Sequence, residues 1–286
     1  MPESPPIVLS IAGYDPSGGA GVLADVKTFA AAGVYGMACI TALTVQSSQG
    51  VRKLICLEPD TVVETLDCLD EDVRFAAIKV GMLGNGGVAT AVAAWLQQRK
   101  AVPVVLDPVL KSSSGKDLLD VGGQDILRSA WLARADWITP NLPELGVLTH
   151  RPVPETQLEV EDAARHLQKM AADRGNPALK IVLTGGHSDP PNDLLLIGEQ
   201  IEWFSGERIE TIATHGTGCA FASALAARIA LGDSPTDAVR TAKDYVTGAL
   251  RYGYPVGMGN GSISHFWQKA VGMDEFSPRH QMTPKR

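Results

Sequence analysis

Residues 7–32 read IVLSIAGYDPSGGAGVLADVKTFAAA, an apolar run, a glycine-rich segment and an amphipathic segment in succession. The run Ile7–Ala12 has the length of a buried strand, and Gly19–Ala32 has apolar residues at helical spacing. The glycines between them allow the backbone to turn sharply and to approach a ligand closely. This stretch therefore predicts a strand–loop–helix unit, from which parallel α/β sheets are built.

The same alternation continues along most of the chain. We predict further strands over Gly36–Leu43, Ala76–Val80, Val102–Leu106, Trp137–Thr139 and Lys180–Leu183, and helices over Asp60–Leu69, Val88–Gln98, Val160–Ala172, Gly218–Ala230 and Pro235–Tyr252. Leu194–Ile197 and Ile201–Phe204 flank a short glycine-containing segment, so they predict a small hairpin at the sheet edge. The pattern predicts an α/β fold with a mostly parallel, doubly wound sheet. We expect one domain over residues 1–266 and a poorly ordered polar tail over residues 267–286.

Composition argues against several classes of protein. The formal net charge is −7 and aromatic residues make up only 6%, which is atypical of a nucleic-acid-binding surface. No stretch approaches the roughly 20 apolar residues of a membrane span, and Met1–Pro6 does not resemble the start of a secretory signal. The four cysteines are scattered, as expected for reduced thiols in a cytoplasmic protein. We therefore expect a small-molecule ligand, with no nucleic acid and no membrane as partner.

A glycine-rich loop follows the first predicted strand, at the sheet edge where open α/β proteins bind ligands. Gly13–Gly21 lacks the GxGxxG spacing of dinucleotide sites and the GxxxxGK[ST] spacing of P-loops. It favours a loop that cradles a substrate, with simple turn chemistry as the alternative. Asp25 follows one helical turn later, where it could reach that ligand or be an ordinary surface charge.

Two side chains near the next strand ends have weaker signals. Thr41–Gln46 is expected to be a loop, and the amide of Gln46 offers both a donor and an acceptor to the edge of a heterocycle. An ordinary solvent-facing glutamine is at least as good an interpretation. Met82 follows Gly81 at another strand end, where methionine normally fills a core.

Polar residues after the later strands indicate a phosphate and metal site. Asp107 and Glu144 follow separate predicted strands, and Mg²⁺ is usually held by one or two carboxylates, retained waters and substrate phosphates. Considered individually, each residue also has a purely structural interpretation. Asp107 could be the residue at which a strand ends, and Glu144 could be an acidic residue in the first turn of a helix. Thr184–His187, with two central glycines, suits a nucleotide phosphate or a tight turn.

The segment His215-Gly216-Thr217-Gly218-Cys219 opens an alanine-rich predicted helix. The first turn of a helix has unpartnered N–H groups and a partial positive charge, and the two glycines leave room for an anion. This segment predicts an anion hole for a transferring phosphoryl group. The same field is expected to lower the pKa of the Cys219 thiol, which could then take the proton of an attacking hydroxyl. The alternative is a small buried cysteine.

These motifs, in this order, resemble the ribokinase-like superfamily and, within it, the hydroxymethylpyrimidine and phosphomethylpyrimidine kinases of thiamine biosynthesis. The resemblance extends from about Ile7 to His265. It implies a three-layer α/β/α sandwich with a small edge lid. It also implies phosphorylation of 4-amino-5-hydroxymethyl-2-methylpyrimidine, and then of its monophosphate, by ATP and Mg²⁺. Because apolar edges in such folds often support dimers, we expect a homodimer.

The resemblance also implies roles for individual residues. The pyrimidine pocket would be lined by Gly13, Ala20, Asp25, Gln46, Met82 and Val109. ATP and its phosphates would contact Asp107, Asn141, Glu144, Thr184, Gly186 and Thr217, and Asp107 and Glu144 would also organise Mg²⁺ through water. Gly216 and Gly218 would form the anion hole and Cys219 would be the base. Many sugar and pyridoxal kinases of the superfamily have aspartate at that position, so Cys219 favours the pyrimidine branch over the alternatives, a pyridoxal or pyridoxine kinase or a non-catalytic pyrimidine-binding relative.

Overall fold

The computed structural model describes residues 4–186 and 188–272. Within them, one sheet is built from nine strands: β1 (Ile7–Tyr14), β2 (Tyr35–Ser47), β3 (Gly50–Cys56), β4 (Ala77–Val80), β5 (Val104–Leu106), β6 (Trp137–Ile138), β7 (Lys180–Leu183), β8 (Asp193–Ile197) and β9 (Gln200–Phe204). Their spatial order is β3-β2-β1-β4-β5-β6-β7-β8-β9. Neighbours from β2 to β7 are parallel, whereas β3, β8 and β9 pair antiparallel. The predicted, mostly parallel sheet with a hairpin at its edge is confirmed.

Helices cover both faces of this sheet. They are α1 (Gly21–Ala31), α2 (Pro59–Asp72), α3 (Gly86–Gln97), α4 (Val121–Ile126), a π-helical turn (Leu127–Trp131), α5 (Leu132–Arg134), α6 (Leu142–Thr149), α7 (Gln157–Ala172), α8 (Thr217–Ala230), α9 (Pro235–Arg251) and α10 (Trp267–Gly272). Successive strand residues point to opposite faces, so Val8 packs with α1, α8 and α9 while Leu9 packs with α2 to α7. The result is the three-layer α/β/α sandwich. Among the described residues, none of the helices is long and apolar enough to cross a bilayer.

Capping side chains set two helix starts that hydrophobic spacing did not predict. Thr156 and Glu159 cap each other's backbone N–H, so α7 begins at Gln157 rather than at the predicted Val160. The short helix α6 was not predicted, and it starts with the same reciprocal bonds between Asn141 and Glu144. Eight residues give too few helical repeats for an apolar period to stand out.

The prediction of a loop at Thr41–Gln46 is wrong. Strand β2 continues through this segment to Ser47, and β3 returns antiparallel to it with Leu43 opposite Ile55. This two-stranded extension, the β2–β3 ribbon (residues 41–56), has side chains of mixed exposure, so its sequence lacks the apolar run that reveals a buried strand.

The chain does not become irregular at residue 267, where the predicted tail begins. Residues 267–272 form α10, and the indole N–H of Trp267 donates to the carbonyl oxygen of Tyr245 at 3.1 Å. The Trp267 ring also stacks on Tyr252, with 6.1 Å between ring centroids. These contacts attach the segment to α9, whereas residues 273–286 of the predicted tail lie outside the described residues.

Candidate active site

The start of α8 has the form of an anion hole. Gly216 is the N-cap with φ of 85°, and a β-carbon there would lie 1.8 Å from the carbonyl oxygen of Gly19, so only glycine fits. Gly218 is exposed, and a β-carbon there would meet no atom within 4 Å. The unpartnered N–H groups of this first turn thus adjoin open space beside the glycine-rich loop, an arrangement that binds anions.

Asp15 connects the glycine-rich loop to this helix start. Its carboxylate accepts hydrogen bonds from the backbone N–H groups of Ser17 and Ala20, and lies 2.8 Å from Nε2 of His215. Burial would raise the pKa of Asp15, but hydrogen bonds from His215 and Ser17 outweigh it and lower the pKa below its ordinary value. Sequence reasoning assigned no role to this pair. The sequence did contain a sign of this pair. Asp15 lies in the glycine-rich segment after β1, and His215 lies directly before the glycines that start α8.

Cys219 lies in the first turn of α8, and although part of the residue is exposed, its thiol is surrounded by protein. The prediction that the helix terminus lowers its pKa is wrong. Burial raises the pKa of the thiol to about 12, and Lys79 offsets only part of that rise, while Asp107 and Asp25 add to it. Cys219 is therefore a thiol at neutral pH, and it must lose its own proton before it can accept one.

Asp25 does not have the exposed position that a substrate contact needs. Its carboxylate is completely buried and accepts hydrogen bonds from Ser10 Oγ at 2.5 Å, Ser223 Oγ at 2.7 Å and Lys79 Nζ at 3.0 Å. No part of the side chain is left for a ligand. The predicted role in lining the pyrimidine pocket is therefore corrected to that of a buried support beneath it.

Lys79 is the main residue that sequence reasoning missed. It is completely buried in β4, and its Nζ lies 3.0 Å from Asp25 and 3.8 Å from Oδ2 of Asp107. Burial would lower its pKa, but the negative charge of Asp25, then that of Asp107, and the hydrogen bond to Asp25 raise the pKa above its ordinary value. The signal was present, because a lysine in the middle of an apolar strand is almost never buried without a partner.

Gly13, Met82 and Val109 lie together, as the resemblance implies. A β-carbon on Gly13 would lie 1.8 Å from Cε of Met82, so the methionine occupies the space that glycine leaves. Met82 packs in a small apolar cluster with Ala42, and Val109 packs against it. Gln46 is partly exposed further along β2, four residues after Ala42. The structure therefore shows a small apolar cluster at these strand ends, and Gln46 lies about 13 Å further along β2.

The predicted nucleotide residues also meet at strand ends. Asn141 follows β6 and forms an isolated bridge with Thr184, which follows β7. The next residue of that loop, Gly185, donates its backbone N–H to Asp193 at 2.8 Å. Gly186 is exposed, with open space around it.

Asp107 and Glu144 fit a hydrated cation. Oδ2 of Asp107 is buried and, within the described chain, has no hydrogen-bond partner, and burial raises the pKa of this residue to about 6. Glu144 accepts a hydrogen bond from the N–H of Asn141 at 2.9 Å, and burial together with repulsion from Asp107 raises its pKa to about 8. The described residues contain no group of three His, Cys, Asp or Glu side chains placed to hold a metal ion. A cation such as Mg²⁺, which keeps several waters and bridges phosphates, needs only one or two carboxylates from the protein.

Glu144 should make stability depend on pH. Because its folded-state pKa of about 8 lies above the ordinary 4.5, the folded protein keeps a proton that the unfolded chain has released between these values. The free energy of unfolding should therefore fall as pH rises from about 5 to about 8, by at most about 1.4 kcal/mol per pH unit from this group. Glu144→Gln should flatten the dependence in urea unfolding curves, and Glu64→Gln on the exposed face of α2 should not. Equal slopes in wild type and Glu144→Gln would contradict the assignment.

This fold, with a glycine-rich helix start, carboxylates at strand ends and a small apolar cluster, is that of a ribokinase-like small-molecule kinase. A sequence model described as phosphomethylpyrimidine kinase matches residues 15–264. The chain is 40% identical over 262 residues to a hydroxymethylpyrimidine/phosphomethylpyrimidine kinase of Escherichia coli K12, covering 90% of this chain and 96% of that protein. The chain belongs to the phosphomethylpyrimidine kinase family.

Solved structures agree with this placement. A pyridoxal kinase of Bacillus subtilis in complex with ADP has a TM-score of 0.84 and 30% identity, covering 93% of this chain and 99% of that one. A phosphomethylpyrimidine kinase of Clostridium difficile has a TM-score of 0.74 and 30% identity, covering 86% of this chain and 99% of that one. The resemblance inferred from the motifs is thus confirmed for family, fold and class of enzyme.

Proposed function

We propose that this kinase uses ATP and Mg²⁺ to phosphorylate the hydroxymethyl group of 4-amino-5-hydroxymethyl-2-methylpyrimidine in thiamine biosynthesis, and then the resulting monophosphate. One observation carries the proposal. Cys219 lies in the open first turn of α8, and its thiol is within the electrostatic influence of Lys79 and Asp107. The name of the Escherichia coli relative supports the choice of substrate.

Phosphoryl transfer depends on positioning and on charge stabilisation more than on a strong base. Backbone N–H groups from Gly216 to Cys219 would bind the oxygens of the transferring group. Cys219 would lie against the attacking hydroxyl, release its own proton to water, and then take the hydroxyl proton late in the transfer. The Lys79 ammonium favours that loss, because it is the positive charge that lowers the thiol pKa. Asp107 and Glu144 would hold Mg²⁺ through water, and the cation would offset the negative charge of the nucleotide phosphates.

The pyrimidine would lie on the small apolar cluster. Met82 and Val109 would pack against its ring, and Gly13 would line the pocket beneath Met82, whose side chain fills the space that the glycine leaves. Ala20, partly exposed just before α1, would cover another part of the ring. The amide of Gln46 would pair with the amino and ring-nitrogen edge, since it can donate and accept at once.

The nucleotide would occupy the ends of β6 and β7 and the start of α8. Asn141, Thr184, Gly186 and Thr217 would contact its phosphates. The loop at Thr184 is held firmly, because Asp193 accepts from Gly185 and also pairs with Lys243 at 2.9 Å. A pre-positioned loop lowers the entropy that a bound nucleotide must lose.

The second phosphorylation requires cations near the substrate monophosphate. Arg52 and Lys116 line an open cleft between the β2–β3 ribbon and the loop of residues 111–117. Oγ of Ser113 in that loop lies 3.5 Å from Nδ1 of His215, so the loop reaches the residues that precede α8. These two cations would offset the added phosphate charge.

Product analysis tests the proposal. The purified protein with MgATP should convert the pyrimidine alcohol to the monophosphate, and supplied monophosphate to the diphosphate, with a higher kcat/KM than for pyridoxal. A preference for pyridoxal would instead assign the alternative suggested by the Bacillus subtilis structure. Binding of the pyrimidine without ATP consumption would indicate a non-catalytic relative.

A homodimer through the β2–β3 ribbon completes the proposal. Leu43, Val45 and Ile55 lie on one face of the ribbon, where they are 39%, 49% and 41% exposed. Such an apolar face at a sheet edge suits a second copy of the chain. Val45→Glu should halve the mass measured by light scattering, whereas Leu158→Glu, at an exposed apolar position on α7, should leave it unchanged. A monomeric wild-type protein would contradict this arrangement.

A further inference from the structure

We infer that Lys79 is a positioning residue, whose buried ammonium holds Asp107 in place and thereby keeps Cys219 correctly set for phosphoryl transfer. The inference rests on the proposed function for its kinetic consequence, but its positional part is independent of substrate. Lys79 is completely buried, so it acts through other residues and not on a ligand.

Side chains from several helices and strands fix the position of the Lys79 ammonium. Asp25 of α1 accepts from its Nζ with both carboxylate oxygens, at 3.0 and 3.1 Å. The same carboxylate accepts from Ser10 of β1 and from Ser223 of α8. Because Ser223 is one helical turn after Cys219, this cluster connects the ammonium to the helix that carries the thiol.

Asp107 depends on this ammonium. Its Oδ2 lies 3.8 Å from Lys79 Nζ and has no hydrogen-bond partner within the described residues. Among the residues that the structure describes, Lys79 is also the one cation that forms an ion pair with Asp107. Without the ammonium, the Asp107 carboxylate would lose this attraction and, where Asp25 stays charged, would also be repelled by it in a site of low dielectric constant.

Stability alone does not explain a lysine at this position. Taking two charges out of water is costly, and a buried ion pair often stabilises a fold no better than apolar residues of similar volume. An apolar residue would continue the pattern of β4, where Ala77, Ile78 and Val80 are all completely buried. We therefore explain the positive charge of Lys79 by its effect on the positions of Asp107 and the adjoining Cys219.

The test separates position from fold stability. Lys79→Met alone leaves Asp25 as an unpaired buried charge, so the double variant Lys79→Met/Asp25→Asn is used, which removes both charges together. The thermal midpoint should stay within a few degrees of wild type. With the pyrimidine alcohol, kcat should fall about 100-fold while KM changes less than about 3-fold, because the residue does not contact substrate. A kcat within about 3-fold of wild type would overturn the kinetic part.

A control and a structural readout complete the experiment. Arg134→Met removes another buried cation, which donates hydrogen bonds to the carbonyl oxygens of Leu96 and Val102. This variant should have a lower thermal midpoint, but its kcat, measured at a temperature at which it is folded, should equal that of the wild type. In a crystal structure of the double variant, the Asp107 carboxylate should move by about 1 Å or more. Unmoved Asp107 and Cys219 side chains would overturn the inference. If the wild type fails to phosphorylate the pyrimidine, the proposed function fails, and this structural comparison still decides the role of Lys79.

Discussion

Replacing Cys219 with alanine is expected to lower kcat for the pyrimidine alcohol by about 10²–10⁴, the usual consequence of losing a positioned proton acceptor. KM should change little, because the small apolar cluster and the backbone N–H groups that bind the substrates remain. Steady-state kinetics on folded protein, checked by its thermal unfolding, provides the measurement. Cys219→Ser should also be slow, since a hydroxyl of the same shape ionises far less readily than a thiol.

Cys68→Ala is the matched control for this experiment, since Cys68 is an exposed thiol on α2. It should leave kcat unchanged. Near wild-type turnover of folded Cys219→Ala would show that the thiol has no role in proton transfer, and the reaction would then rest on the anion hole and the bound cation alone.

Gly218→Ala is expected to separate stability from activity. A β-carbon there meets no protein atom within 4 Å, and alanine is a better helix residue than glycine by about 0.5–1 kcal/mol. The free energy of unfolding should therefore stay the same or rise. Turnover should fall by about 10- to 100-fold, because the new methyl group occupies space that the phosphoryl oxygens need.

Gly122→Ala serves as the control for Gly218→Ala. Gly122 is also the second residue of a helix, α4, and a β-carbon there meets its nearest atom at 3.7 Å, an ordinary contact. It should affect stability in the same direction and leave turnover unchanged. Full activity of Gly218→Ala would mean that the terminal phosphate binds away from the start of α8.

The positions of the candidate site could be predicted because parallel strands bring their carboxyl ends to one edge. Once the chain is recognised as alternating strands and helices, the residues after each strand must lie near one another. Asn141 and Thr184 are far apart in sequence, and the structure pairs them. The glycines at the start of α8 were recognisable for a local reason, since the N-terminus of a helix by itself favours anions.

What could not be predicted depends on contacts across the fold. The pKa of Cys219 is set by burial and by Lys79, which is 140 positions away in the sequence, and no local pattern reports that balance. Asp25 looked like a helix surface charge or a ligand contact, but three distant side chains cover it. The β2–β3 ribbon escaped prediction because it is half-exposed and so lacks a buried strand's continuous apolar run.

A crystal structure with the pyrimidine alcohol, Mg²⁺ and a non-hydrolysable ATP analogue tests the central claim most directly. The hydroxymethyl oxygen should lie within about 3.5 Å of Cys219 Sγ, and the terminal phosphate should accept hydrogen bonds from the N–H groups at the start of α8. The pyrimidine ring should pack on Met82. A terminal phosphate bound away from α8, or a hydroxymethyl group directed away from Cys219, would contradict the account.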